Sequence, residues 1–244
     1  QSNRKSILLK TCKDLKNAGF DKVTPINFGA KHCYILRDYW KKHDISTATI
    51  KNRLACVRWL GEKLGKELPT NQKLEIENRK YSDNTKNKAH EIDKDKFDLL
   101  SERHQLSISL QRQFGLRLEE SIKFIGSYAD KTDKIILKAS WCKGGRAREI
   151  PIKTENQRAL LDKIKNFVGK GSLIPIEKNY IQAKWSFEKA IQSEGIKNVH
   201  GFRHQYAQDR YKELTGLVCP KGGGLKSKEL SSEQKELDYK ARMV

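Results

Sequence analysis

Acidic residues are scarce in this chain: thirty Asp and Glu stand against fifty Lys and Arg in 244 residues, leaving a formal charge of +20 at pH 7. A surplus of that size repels the chain from itself and attracts polyanions, so nucleic acid leads the candidate partners. Long hydrophobic runs are missing too. No stretch approaches the roughly 18 apolar residues of a membrane span, and no apolar segment follows the basic start as in a secretory signal. The expectation is a soluble, cytoplasmic protein with no membrane partner. Cysteine is sparse and scattered: Cys12, Cys33, Cys56, Cys142 and Cys219 contain no C-x-x-C pair. Neither a zinc site nor a disulfide framework is signalled, and the five read as reduced thiols, mostly small core residues. Internal repeats are absent. So are RNP, KH and zinc-knuckle patterns, which disfavours a basic RNA-binding protein.

What is present divides into stretches. Hydrophobic residues make up 36% of the chain, low but sufficient for one or two cores, and two modest domains fit better than one. Leu8, Cys12 and Leu15, then Cys33, Leu36 and Trp40, then Ile50, Leu54, Val57, Leu60 and Leu64 form stripes at helical period. Residues 1–68 therefore read as a small all-helical domain. Its third helix has Ser46 or Thr47 as N-cap and carries Lys51, Arg53 and Arg58 on a polar side that could lie on phosphates. Residues 69–90 lose the apolar period after Pro69, gain Asn, Lys and Ser, and read as an exposed linker. Residues 91–244 read as a second domain, with helices near Asp93–Arg103, Leu106–Phe114, Glu155–Val168, Lys178–Glu194 and His200–Leu214. Between them "KIILKASWCKGGRAREIPI" predicts a β-hairpin over about 134–152, with Lys143-Gly144-Gly145 at a tight turn. The stretch from Cys219 to Lys235 reads as a flexible loop.

Three islands in the second domain carry possible chemistry. In "FGLRLEES", Gly115 and Leu116 interrupt a helical pattern, Arg117 follows the break, and Glu119 and Glu120 open the next helix. An arginine at such a break can be buried and aimed, with a carboxylate one turn later holding its guanidinium. An ordinary helix start, with acidic residues near the positive end of the dipole, accounts for the same pattern. Lys143 projects from the hairpin turn, where a lysine can reach a DNA strand and donate a proton or simply be solvated. "CKGGR" lacks the spacing and the Lys-Ser/Thr pair of a phosphate-binding loop. The third island is "HGFRHQYAQDRY", in which His200 and Arg203 stand three apart at a helix start.

In that order, behind a small basic helical domain, the islands resemble the tyrosine recombinases, the phage integrase family, over nearly the whole chain. The resemblance implies a mainly α fold with a small β-hairpin or sheet: a helical core-binding (SAM-like) domain followed by a mixed α/β catalytic domain. "GLRLEES" is similar to the first arginine box, making Arg117 the first catalytic arginine and Glu120 its acidic companion. Lys143 matches the hairpin lysine, and "HGFRH" matches the second box, giving His200 and Arg203. The implied activity is site-specific cutting and rejoining of double-stranded DNA through a 3′-phosphotyrosine, with no cofactor and no metal, for integration or excision of a mobile element. Two arginines clamp the non-bridging oxygens, the lysine protonates the departing 5′-oxygen, and the histidine accepts the tyrosine proton or bonds a phosphate oxygen. Arg146, beside the lysine, joins the candidate DNA contacts. The resemblance also implies a homotetramer on recombination sites, a monomer or dimer without DNA, accessory DNA-bending proteins, and a place at the nucleoid.

One part of the pattern is missing. The family's nucleophilic tyrosine lies some thirty-odd residues after the second arginine, led in by "LGH" and preceded at nine residues by histidine or tryptophan. Tyr239 falls near that spacing, but Leu230 stands nine before it and no "LGH" occurs. "ELDYKARMV" resembles the helix before that box, so the expected nucleophile lies beyond Val244 and the catalytic domain's end is expected to be missing. The alternative reading is a recombinase-like protein that binds DNA without cleaving it.

Overall fold

The computed structural model describes residues 2–79 and 86–243, in two compact units, Gln1–Asp83 and Asn84–Val244. The first unit is built on α1 (Ser2–Asn17), α2 (Ala30–Lys42) and α3 (Thr47–Lys63). Most of the stripe residues bury, and Leu15, Cys33, Leu36, Trp40, Ile50, Leu54 and Val57 share one core, whereas Cys12 and Leu64 are exposed; of the five cysteines only Cys33 and Cys142 are buried. Ser46 is the N-cap of α3, its Oγ accepting from the Thr49 amide at 3.3 Å. Inside the core edge, Trp40 Nε1 donates to buried Asp14 at 2.8 Å, and Arg53 Nη1 donates to the same carboxylate oxygen at 3.0 Å. Lys10 completes the set at 3.2 Å.

One expectation changes here. Leu68, Leu74 and Ile76 are buried in this first core, so residues 69–79 do not behave as an exposed linker. Each apolar residue of that segment is isolated among polar ones, and irregular backbone packs without a period that sequence could display. At its start, Arg58 donates to the Pro69 carbonyl and to Asn71 Oδ1, at 3.3 and 3.1 Å. Arg53 and Arg58 therefore bond within their own domain. Lys51 lies on the same helix, half-buried. The part of the expected linker from 80 to 85 lies outside the described residues.

The second unit contains α4 (Lys94–Asp98), α5 (Glu102–Phe114), α6 (Leu118–Ile122), α7 (Gly126–Ala129), β1 (Lys134–Leu137), β2 (Arg148–Pro151), α8 (Glu155–Val168), α9 (Tyr180–Ser193), α10 (His200–Thr215) and α11 (Ser232–Met243). The helix expected over Asp93–Arg103 breaks at Leu99. Gln105 Nε2 donates to the carbonyls of Phe97, Asp98 and Leu100, satisfying groups that a continuing helix would have bonded itself. The central helix is α5. Leu106, Leu110 and Phe114 face one core, with Leu116, Phe124, Ile135, Leu137, Leu160, Leu161 and Ile164; Ile108 faces a second, with Ile122, Phe187, Ile191 and Phe202. A helix buried on two sides shows weak amphipathicity, which explains its faint sequence signal.

β1 and β2 pair antiparallel, from Lys134↔Pro151 to Leu137↔Arg148. The hairpin stands where it was expected, but its connection, 138–147, is not a tight turn. It opens with a 3-10 turn at Ala139–Trp141, buries Trp141 and Cys142, and then exposes Lys143 to Ala147. Gly144 and Gly145 take φ of +82° and +66°, the left-handed region that lets this loop reverse. No helix among the described residues is long and apolar enough to cross a membrane. Asp14→Ala should destabilise the first unit by about 3 kcal/mol, because Arg53 and Trp40 would lose their common acceptor in a buried setting. Urea unfolding at pH 7 measures this; a change under a few tenths would show that the apolar stripes alone hold the unit.

Candidate active site

The local chain explains how the site is assembled. Gly115 ends α5 with φ of +61°, a value glycine adopts without strain, and the Tyr206 ring packs where a Cβ would stand. The chain then extends through Leu116, fully buried, and Arg117 before α6 begins. Glu120, the third residue of α6, reaches back: its Oε2 accepts from the Arg117 amide at 2.7 Å and its Oε1 from Arg117 Nη1 at 2.7 Å. That is half of a capping box, and the same carboxylate holds the N-cap guanidinium. Arg148, on β2, donates from Nη2 to Glu120 Oε2 at 2.6 Å. Glu120 has no solvent exposure. Burial on its own would raise its pKa, but the amide and guanidinium of Arg117 and the charge of Arg148 outweigh that and hold the carboxyl below the usual glutamate value.

α10 supplies the second arginine. Arg203 Nη1 donates to the Gly115 carbonyl, the acceptor exposed by the end of α5. Its side chain is partly buried, and burial, then the fields of Arg148 and Arg117, lower its pKa, while Glu120 opposes them. His200 lies one helical turn earlier on the same face. Its ring reaches solvent, yet desolvation by the surrounding protein, then the charges of Arg203, Arg117 and Lys88, hold it below the ordinary imidazole value. At neutral pH it is therefore uncharged and able to accept a proton. His204 sits edge-on to His200, ring centroids 5.0 Å apart.

Arg117, Glu120, His200 and Arg203 thus lie near one another in this unit. Lys143 and Arg146 lie in the exposed part of the hairpin connection, whose far end is Arg148. Tyr239 is on α11 and 66% exposed. Its neighbour Asp238 faces α10 instead, accepting from Tyr211 Oη at 2.7 Å and from Arg242 Nε at 2.9 Å.

Sequence reading missed two contributors. Arg148 carried no signal beyond its place on a strand face shared with buried Ile150. Gly201 is the other: a Cβ there would strike the His90 ring and the Lys88 carbonyl, because residues 88–90 cross the start of α10. Asn198 Nδ2 donates to that carbonyl at 3.1 Å, and the His90 ring lies 4.8 Å from Phe202. A glycine between two site residues was the available clue.

The family model described as Integrase matches residues 77–209, a span that includes Arg117, Lys143, His200 and Arg203. The chain belongs to the integrase family of tyrosine recombinases. Among solved structures it is similar to lambda integrase bound to DNA, at 14% identity and a TM-score of 0.57, covering 95% of this chain and 88% of that one. A lambda integrase dimer bound to a COC′ core site gives 13% identity and a TM-score of 0.60, covering 96% and 71%. The Tn1549 transposon integrase in complex with circular intermediate DNA gives 12% and 0.53, covering 100% and 94%. At these identities the likeness is one of fold. A comparison with curated protein sequences finds no match.

Two outcomes test the electrostatics. Because the folded pKa of Glu120 is depressed, its contribution is present above the unfolded value and is lost as pH falls through the folded one. Glu120→Gln should cost about 3 kcal/mol at pH 7, and the gap should narrow below about pH 4.3. Urea titrations at both ends of that range measure it; a gap independent of pH would show that charge is not what Glu120 supplies. His200 should titrate below about 6.5 in the free protein and move upward when inorganic phosphate docks between the arginines. NMR of the imidazole reads this directly, and a value unmoved by phosphate would place the anion elsewhere.

Proposed function

We propose that the protein is a site-specific DNA strand transferase that cuts and rejoins double-stranded DNA through a 3′-phosphotyrosine. The observation that carries the reading is the pair Arg117 and Arg203, the first held by buried Glu120 and the second by the Gly115 carbonyl, with His200 one turn before Arg203, on a chain of net charge +20. A phosphodiester needs little from a protein except donors placed where charge grows. Arg117 and Arg203 donate to the non-bridging oxygens, which carry the extra charge of the pentacoordinate transition state. His200 takes the proton of the attacking tyrosine hydroxyl. Lys143 gives a proton to the departing 5′-oxygen, a role for which an ammonium is suited and a guanidinium is not. Glu120 orients Arg117 and keeps its fork from folding back on the backbone.

The nucleophile is left unassigned within these residues. Tyr239 is turned to solvent on a helix whose inward position is taken by Asp238, and attack requires reacting atoms held at roughly 3 to 3.5 Å. DNA-bound relatives, one of them a lambda integrase tetramer on a Holliday junction, support a duplex partner and a tetramer formed on it. Integration or excision of a mobile element, assisted by DNA-bending proteins at the nucleoid, completes the reading. The second reading is a DNA-binding protein without cleavage, for which the net charge of +20 alone would suffice.

The test uses a nicked duplex carrying the sequence that the protein selects from a randomised pool. The full-length protein should leave a covalent adduct on a denaturing gel. Arg117→Ala or Arg203→Ala should reduce adduct formation by about 1000-fold while DNA affinity falls less than about tenfold, because the lost interaction belongs chiefly to the transition state. Salt-sensitive binding with no adduct from the full-length protein would establish the second reading instead. An adduct that vanishes in Tyr239→Phe would make Tyr239 the nucleophile.

A further inference from the structure

We propose that Arg148 is a positioning residue that clasps the Lys143 loop to the arginine pocket, so that the lysine meets the 5′-oxygen of a phosphate held by Arg117 and Arg203. The inference rests on the strand-transfer reading and adds how its general acid is delivered.

Arg148 is the first residue of β2, paired across the ladder with fully buried Leu137. It shares a strand face with buried Ile150, a face on which an aliphatic side chain would be the cheaper occupant. A guanidinium stands there because Glu120 Oε2 lies 2.6 Å from its Nη2. Arg148 Nε is buried without a hydrogen-bond partner among the described residues, so the bond from Nη2 to Glu120 sets the position of the group. Cys142 is itself buried, and the charges of Glu120, Arg148 and Arg117 all act on its thiol, which burial and Glu120 raise above the ordinary value. The exposed stretch Lys143–Ala147 therefore hangs between two anchors, buried Cys142 and Arg148, and the second is bonded to the Glu120 carboxylate.

Stability alone does not account for this arrangement. Two guanidiniums, those of Arg117 and Arg148, share the Glu120 carboxylate, and their fields lower the pKa of a third, that of Arg203. The excess positive charge costs stability in the folded protein and suits a phosphoryl transition state that carries two negative charges, which Arg117 and Arg203 meet directly. In the step, the tyrosine oxygen bonds phosphorus, the P–O5′ bond breaks, and the Lys143 ammonium gives its proton to O5′. Arg148 acts through the loop that carries that lysine.

A DNA with sulfur in place of the bridging 5′-oxygen separates the roles, because a thiolate leaves without a proton. On the selected duplex, with the full-length protein, Arg148→Met should slow adduct formation about 100-fold on oxygen DNA and less than about fivefold on sulfur DNA. DNA affinity should stay within about threefold of the unaltered protein, since most contacts to phosphate are elsewhere. Arg148→Lys keeps a cation over Glu120 and should recover about tenfold of the oxygen rate, which guards against a methionine variant that fails to fold. Equal losses on the two DNAs in both variants would overturn the proposal and make Arg148 a direct phosphate contact or a purely structural residue. No loss on either DNA would overturn it as well. The control is Lys143→Ala: slow on oxygen and restored on sulfur, it keeps the strand-transfer reading standing when Arg148 fails. An unaltered protein with no adduct on either DNA removes that reading, and the inference with it.

Discussion

The carboxylate of Glu120, shut away from solvent, takes hydrogen bonds from one backbone amide and two guanidiniums that arrive from a helix start and from a β-strand. Burying a carboxylate costs several kcal/mol unless donors replace the lost water, and here three donors do so. The dependence is mutual. Without Glu120, Arg117 and Arg148 would repel each other and Arg203 with nothing to offset them; without the arginines, Glu120 would be a lone buried charge. A network of this kind has one good arrangement, so it fixes the geometry of the arginine pocket before any ligand enters.

Backbone features bring the partners within reach. Gly115 stops α5 in the left-handed conformation, which turns its carbonyl toward Arg203 and puts Arg117 two residues on, at the head of α6. Gly201 admits the crossing of residues 88–90 over the start of α10 and so holds His200 and Arg203 at their level. Both glycines work by what they lack, a Cβ, and both stand within two residues of one that would do the chemistry. On the far side, Asp238 anchors α11 to α10 through Tyr211, which turns Tyr239 outward.

Much of this was legible in residue order. The helical stripes of the first unit, the hairpin near 134–152 and the helix at Glu155–Val168 follow from periodicity and turn chemistry, and the structure has them there. Other parts left no such trace. Leu74 and Ile76 pack singly from irregular backbone, so no period announced them, and the segment read as linker is partly core. Arg53 and Arg58 look, in sequence, like any cations on a polar helix face; Asp14 and Asn71, 39 and 13 residues away, decide that they bond inward.

Sequence by itself determined the local chemistry: which residues could clamp a phosphate, give or accept a proton, break a helix or cap one, because these are properties of a few neighbouring residues. It also determined the excess of positive charge, a matter of composition alone. Tertiary structure decided which of those residues share a site. The Glu120 to Arg148 bond spans 28 residues and the Arg203 to Gly115 bond 88, and no local pattern encodes a meeting at such separations. Only the packing of α10 and the hairpin around α5 brings those groups within hydrogen-bond distance, and only there does a buried carboxylate acquire its cations.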